Sequence, residues 1–265
     1  MTWIQVIVLA VVQGLTEFLP ISSSGHLVLV PSILGWSDQG LVFDVAVHFG
    51  SLGAVCIYFR NDIAALLRGS LNVATGHLEA PESRMALAIA FGTVPAAVAG
   101  LLFAGWISDN LRHPGVVVAT LAGYGVVLAL ADRFGKRRRV IADVRLGDAM
   151  VIGLAQALAL VPGTSRSGVT ISAALMLGFQ RRDAARFSFL LSAPVILLAT
   201  LYEVAILLID GGAVSWSTLG VAALASGLVA YVSIEFFMRF VNTIGLLPFA
   251  IYRLILAAVI VVLVL

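Results

Sequence analysis

The chain has 265 residues, of which 61% are hydrophobic and only 11% charged, with a formal net charge of +2. Soluble domains carry about 25% charged residues, so this composition excludes an ordinary water-soluble fold and describes an integral membrane protein. The small net charge gives no sign of a nucleic-acid partner, and the single Cys56 excludes an intramolecular disulfide and a thiolate-built metal site.

The apolar runs are long and continuous, whereas barrel strands would alternate in segments of roughly ten residues, so the expected fold is an all-α polytopic bundle. The first residues lack the basic flank and small-residue cleavage pattern of a signal peptide and are read as part of the mature fold. The first apolar region, 1–34, is broken at Pro20, and each half is too short to cross a bilayer, which takes roughly 17 to 25 residues. Gln13 and Glu17 stand at i, i+4 on one helix face before the break. A carboxylate inside an apolar helix is expensive and marks a functional site by default; the plainer alternative is a hydrated or Arg-paired Glu17 at the interface.

Pro20 stops that helix, and Ser22, Ser23 and Ser24 are candidate N-caps for a second one running past Gly25 to Leu34. Unused N–H groups and the positive end of a helix dipole make such a start an anion site. His26 lies within a turn of the serines and is expected near Glu17, which would group hydroxyl, imidazole and carboxylate for nucleophilic or general-base chemistry.

Six segments then read as full spans: 41–59, 85–104, 115–131, 187–209, 217–238 and 249–265. His48, inside the first, is expected to have a hydrogen-bonded structural role, and His77 and His113 fall in loops. Asp44 and Glu203 could join a site or bridge helices. Between the third and fourth spans lies a second broken region, 147–179, interrupted by "VPGTSRSG" at 161–168. Arg166 is expected at the mouth of a helix running through Leu177, its donor fork matched to phosphate oxygens, unless it snorkels to the headgroups. Ser165, Ser167 and Thr170 offer hydroxyls, and Gly163 and Gly168 allow close backbone approach. Together the two breaks describe an anion site, with a phosphate ester or diphosphate as first choice. There is no GxxxxGK[ST] and no GxGxxG to indicate a nucleotide.

Loop charges order these pieces. The segment 132–145 holds Arg133, Lys136, Arg137, Arg138, Arg139 and Arg145, six of the sixteen basic residues, and 181–186 is also basic. Both fall on the cytoplasmic side, as does the loop with Arg60, Arg68 and Arg84, if 147–179 is a re-entrant hairpin; the cation-free loops 36–40 and 210–216 then lie outside. The expected architecture is therefore one membrane domain of six spans plus two re-entrant hairpins, divided into half-repeats 1–131 and 147–265 of inverted topology. A shift of 143 residues aligns Gln13 with Gln156, Ser22 with Ser165, Ser24 with Ser167 and Gly25 with Gly168. Inverted repeats with broken helices meeting near the midplane are an established way to build a buried polar site.

"QGLTEFLPISSSGH" (13–26) and "PGTSRSGVT" (162–170) resemble the two signature motifs of the bacterial undecaprenyl-diphosphatase family linked to bacitracin resistance, and "PFAIYRLIL" (248–256) extends the likeness along the whole chain. The resemblance implies hydrolysis of undecaprenyl diphosphate to undecaprenyl phosphate, recycling the lipid carrier, in the bacterial inner membrane with the site facing the periplasm. It implies Glu17 as the essential acid and candidate metal residue, and Ser23 as nucleophile assisted by His26. Phosphate binding falls to Arg166 with Ser165 and Thr170. A divalent cation, Mg or Ca, is implied as cofactor. Gln13 stands where the family has Glu or Gln and cannot act as base or strong metal ligand. Attack by Ser23, by His26 or by water stays open, as does the oligomeric state, a homodimer included. The main rival is a transporter or flippase for an anionic lipid, with the same architecture but no need for a nucleophile beside a base. An acid-phosphatase-like lipid phosphatase is disfavoured because no histidine follows Arg166.

Overall fold

Both apolar regions that the sequence breaks are broken in the structure, at the same polar stretches. The computed structural model describes residues 1–111, 113–210 and 215–264. Among these no β-strand forms. The helices are α1 (Trp3–Thr16), α2 (Ser23–Leu34), α3 (Leu41–Tyr58), α4 (Arg60–Ala74), α5 (Pro81–Asn110), α6 (Pro114–Phe134), α7 (Leu146–Leu158), α8 (Arg166–Met176), α9 (Arg181–Asp210), α10 (Trp216–Ile244) and α11 (Leu247–Val264). Pairs α1–α2 and α7–α8 fill the two broken regions. Part of the expected outer loop 210–216, residues 211–214, lies outside the described residues.

The six segments expected to span fall on α3, α5, α6, α9, α10 and α11, of which α11, at Leu247–Leu263, is among the shorter apolar helices. Four stretches are long and apolar enough to cross a membrane: Pro81–Phe103, Pro114–Phe134, Arg181–Leu207 and Trp216–Ile244. A fifth arises if α3 and α4, bent by 88° at Phe59, count as one. Helix α4 was not expected. Arg60, Asn61, Asp62 and Arg68 interrupt its hydropathy, yet Ile63 and Leu66 pack on the core as one apolar face.

Burial follows the logic of a lipid solvent. Large apolar side chains such as Leu101, Leu224, Leu228 and Val262 face outward, while Gln13, Glu17, Thr170 and Arg253 lie inside. Small residues let helices approach: a Cβ on Gly153 of α7 would stand 2.3 Å from the Gly92 carbonyl of α5, so no other residue fits there. The core beneath the breaks is aromatic. Phe18 meets Phe189 edge-on at 5.2 Å, and Phe189 meets Phe237 at 5.7 Å.

Basic residues tie one end of the bundle together. Arg139 forks onto Asp148 at 2.5 and 3.0 Å and also donates to the Leu177 carbonyl at 3.2 Å. Arg181 forks onto Asp132 at 2.6 and 3.0 Å, and Arg186 pairs with Asp62. These bonds bring the start of α7, the end of α8 and the start of α9 to the same end of the molecule.

Candidate active site

Both breaks use the same local device. Ser22 caps α2 with φ 78° and ψ 92°, its Oγ accepting from Gly25 N at 3.3 Å. Ser165 caps α8 with φ 70° and ψ 109°, its Oγ accepting from Gly168 N at 3.2 Å. With Arg137, these serines are the non-glycine residues of positive φ among those described, a conformation that L-residues adopt under constraint. Each capping hydroxyl also lies 3.3 Å from the serine two positions on, Ser24 or Ser167. The two turns touch, since Ser167 Oγ donates to the Leu19 carbonyl at 3.0 Å. Two helix N-termini are thereby held side by side.

Glu17, at the end of α1, is 7% exposed and lies at the junction. Its Oε1 accepts from Arg166 Nη2 at 2.7 Å. Its Oε2 accepts from Ser23 Oγ at 2.7 Å and from Gln13 Nε2 at 3.0 Å, and faces His48 Nε2 at 3.4 Å. Arg166 rests over the Phe18 ring at 5.6 Å, so the aromatic core supports the cation as well as the helices. Thr170 Oγ1 is 2.6 Å from Ser188 Oγ, and Arg166 Nη1 donates to the Ser188 carbonyl at 3.3 Å, which fixes the guanidinium from the α9 side.

A cavity of about 360 Å³ opens above this cluster. Glu17, Ser23, Ser24, His48, Ser165 and Arg166 line it, together with Asp38, Asp44 and Glu203. The other expected residues stand behind that surface. Gln13 backs the carboxylate, while Ser22, Gly25, Ser167 and Thr170 build the two turns. Gly163, at φ 86°, passes so close to α6 that a Cβ would stand 2.7 Å from the Val117 carbonyl.

One expectation is corrected. His26 does not join Glu17 and Ser23: its Nδ1 is 2.7 Å from the Ser22 carbonyl and its Nε2 is 2.6 Å from the Tyr252 hydroxyl. The imidazole beside the carboxylate is His48, from α3. His48 Nδ1 donates to the Asp44 carbonyl at 2.6 Å, so an attractive contact between Nε2 and a carboxylate oxygen requires a shared proton. The sequence also gave no role to Arg253, which is wholly buried. It donates to the carbonyls of Thr120, Leu121, Gly163 and Thr164 at 2.9 to 3.2 Å and so ties the second turn to α6. "PFAIYRLIL" carried that signal, a lone cation in an apolar run.

A divalent cation, implied by the resemblance, would have Glu17 as its candidate protein residue. Both Glu17 oxygens are taken by N–H and O–H donors, and among the described residues no group of three His, Cys, Asp or Glu converges as a metal cage.

A hydroxyl on a carboxylate, an arginine and two helix N-termini around a cavity within a polytopic helical bundle define a membrane protein built to handle a buried anion. The family is then specific. The family model described as bacitracin resistance protein BacA matches residues 6–259, and the chain belongs to that family. A protein named undecaprenyl-diphosphatase from Hahella chejuensis is 52% identical over 258 residues, 97% of each chain. One of the same name from Teredinibacter turnerae is 51% identical over 256 residues, again 97% of each. Undecaprenyl-diphosphatase 2 of Stutzerimonas stutzeri is 48% identical over 266 residues, 99% of this chain and 98% of that one.

Proposed function

We propose that this protein is a membrane phosphatase that converts undecaprenyl diphosphate and water to undecaprenyl phosphate and inorganic phosphate, which returns the carrier to cell-wall synthesis and gives bacitracin resistance. The observation that carries the chemistry is the 2.7 Å hydrogen bond from Ser23 Oγ to a Glu17 carboxylate whose other oxygen is held by Arg166. Ser23 attacks the terminal phosphorus as its proton passes to Glu17. The bond from that phosphorus to the bridging oxygen breaks, and undecaprenyl phosphate leaves with the bond's electrons. The departing undecaprenyl phosphate takes up the Glu17 proton; the restored carboxylate then accepts a proton from the water that attacks the phosphoserine and returns it to Ser23 Oγ as inorganic phosphate leaves. Arg166 and the N-termini of α2 and α8 face the charge that develops on the phosphoryl oxygens. His26 enters as a residue that fixes the first turn, and His48 as the group that shares the Glu17 proton. No step is assigned to a cation.

The architecture that goes with this reading is six spans and two re-entrant hairpins in two inverted halves. The matched turns at Ser22 and Ser165 support it, as do the basic bonds that gather both ends of the α7–α8 hairpin. With those cations in the cytoplasm, the cavity mouth at Asp38 opens to the periplasmic face of the inner membrane.

Phosphate release from undecaprenyl diphosphate by purified protein tests the function. Ser23→Ala, Glu17→Gln and Arg166→Ala should each lower turnover by about 10²- to 10⁴-fold. His26→Ala should lower it far less. Near-normal turnover in both Ser23→Ala and Glu17→Gln would falsify the assignment, and a rapid acid quench that traps no phosphoserine would replace serine attack by direct water attack.

A further inference from the structure

Beside the polar cavity lies a second one of about 430 Å³, and its walls are almost wholly apolar. Val42, Ala46 and Phe49 of α3 face it, opposite Trp216, Gly220 and Ala223 of α10. The spacings of three, four and seven residues mean that each helix turns one face to this groove. The third wall is α9. Three residues, Val45, Thr200 and Glu203, line both cavities, so the groove continues directly from the phosphate site. At its other side it is open to the bilayer, where Phe49, Leu201 and Trp216 are 52%, 56% and 68% exposed.

We propose that this groove between α3, α9 and α10 seats the head-proximal isoprene units of the substrate's tail, a proposal that rests on the hydrolytic reading above. The polar side chains Thr200 and Glu203 stand at the junction with the polar cavity. An occupant matching both spaces is anionic at one end and apolar along the rest, as a polyprenyl diphosphate is. The open side lets such a molecule arrive laterally from the membrane and leaves the distal tail in lipid. Because lipid is as apolar as the groove, seating the tail adds little affinity. Its effect is orientation, holding the diphosphate so that the terminal phosphorus lies over Ser23.

The test fills the groove in the full-length protein. A Cβ on Gly220 meets nothing within 4 Å, so Gly220→Phe can place its ring in the groove without moving the backbone. Val204→Trp narrows it from α9 as a second, independent block, and Leu224→Phe on the lipid face of α10 is the control. Each is assayed for kcat/KM on undecaprenyl diphosphate and on dimethylallyl diphosphate, which carries one isoprene unit. Both blocks should cut kcat/KM on the long substrate by about 10-fold or more while the short one stays within about 2-fold, and the control should change neither. Retained turnover of the short substrate reports that the fold is intact. An unchanged rate on the long substrate overturns the proposal. So does an equal fall on both substrates with the protein still monodisperse, the pattern expected if the groove is a contact between copies of the chain. Failure of the unsubstituted protein to hydrolyse either substrate removes the hydrolytic reading, and this proposal with it.

Discussion

Glu17 is the residue on which the site's donors converge, and they can be removed one at a time. His48 offers the cleanest case, because its Nε2 reaches Oε2 from a helix that supplies no other member of the cluster. His48→Ala should lower kcat by about tenfold with KM little changed, and His48→Gln, which keeps a donor near that point, should recover most of the loss. Equal kcat in the alanine variant and the parent protein would sink that role. Arg253 is a structural counterpart. Arg253→Ala leaves the carbonyls of Gly163 and Thr164 without their buried donor, so the second turn should loosen at a cost of at least about 2 kcal/mol, read as a lower thermal midpoint in detergent. At this scale the sequence was partly legible. The Glu17–Ser23–Arg166 grouping follows from residues whose chemistry is rare inside a membrane. Which imidazole reaches the carboxylate does not follow, because His26 and His48 are separated by how α3 packs against α1, and nothing local to either histidine encodes that.

At positions such as Gly50, Gly69 and Gly153 helices meet through backbone contact, and this makes single methyl groups consequential there. Gly153→Leu would drive a side chain into the Gly92 carbonyl and should abolish folded protein in a detergent extract, whereas the same change at Gly123, where a Cβ meets nothing within 4 Å, should be tolerated. The Arg139–Asp148 pair fastens the α7–α8 hairpin at its open end, where α7 begins and α8 finishes. Burial pushes the Asp148 carboxyl up, but the Arg139 hydrogen bonds and the Arg145 N–H outweigh it and hold the group below its ordinary value. A carboxyl depressed in the folded state stabilises above its unfolded pKa of about 3.9 and loses that contribution as pH falls through the folded value. Asp148→Asn should therefore melt lower than the parent at pH 7, with the gap narrowing as the pH falls below the ordinary carboxyl value. A gap independent of pH would assign the effect to packing instead. The element breaks were readable because Pro20, the serine caps and Gly163 act locally. Helix α4 was not, since its apolar face is too narrow to register as a continuous run and is completed by α5 and the core.

Seen whole, the molecule gathers the ion pairs of Arg139, Arg181 and Arg186 at one end, while Arg166 faces the polar cavity. Single cysteines introduced in 36–40 and in 132–145, on a Cys56→Ser background, should be labelled by an impermeant thiol reagent from opposite sides of the membrane. Labelling from the same side would undo the inverted arrangement. Chelation of divalent cations with EDTA should leave the thermal midpoint within about 2 °C, because a resident ion would contribute binding energy to the fold and the described residues form no cage for one. The twin turns at Ser22 and Ser165 carry a last consequence. The residue that follows the cap is the first of its helix in both, and it is Ser23 in one turn and Arg166 in the other. On the mechanism proposed above, nucleophile and phosphate clamp occupy corresponding places in two turns of matching geometry. A chain with identical loops would present two hydroxyls or two cations and would lack one half of that pair, so the proposed chemistry rests on one broken equivalence.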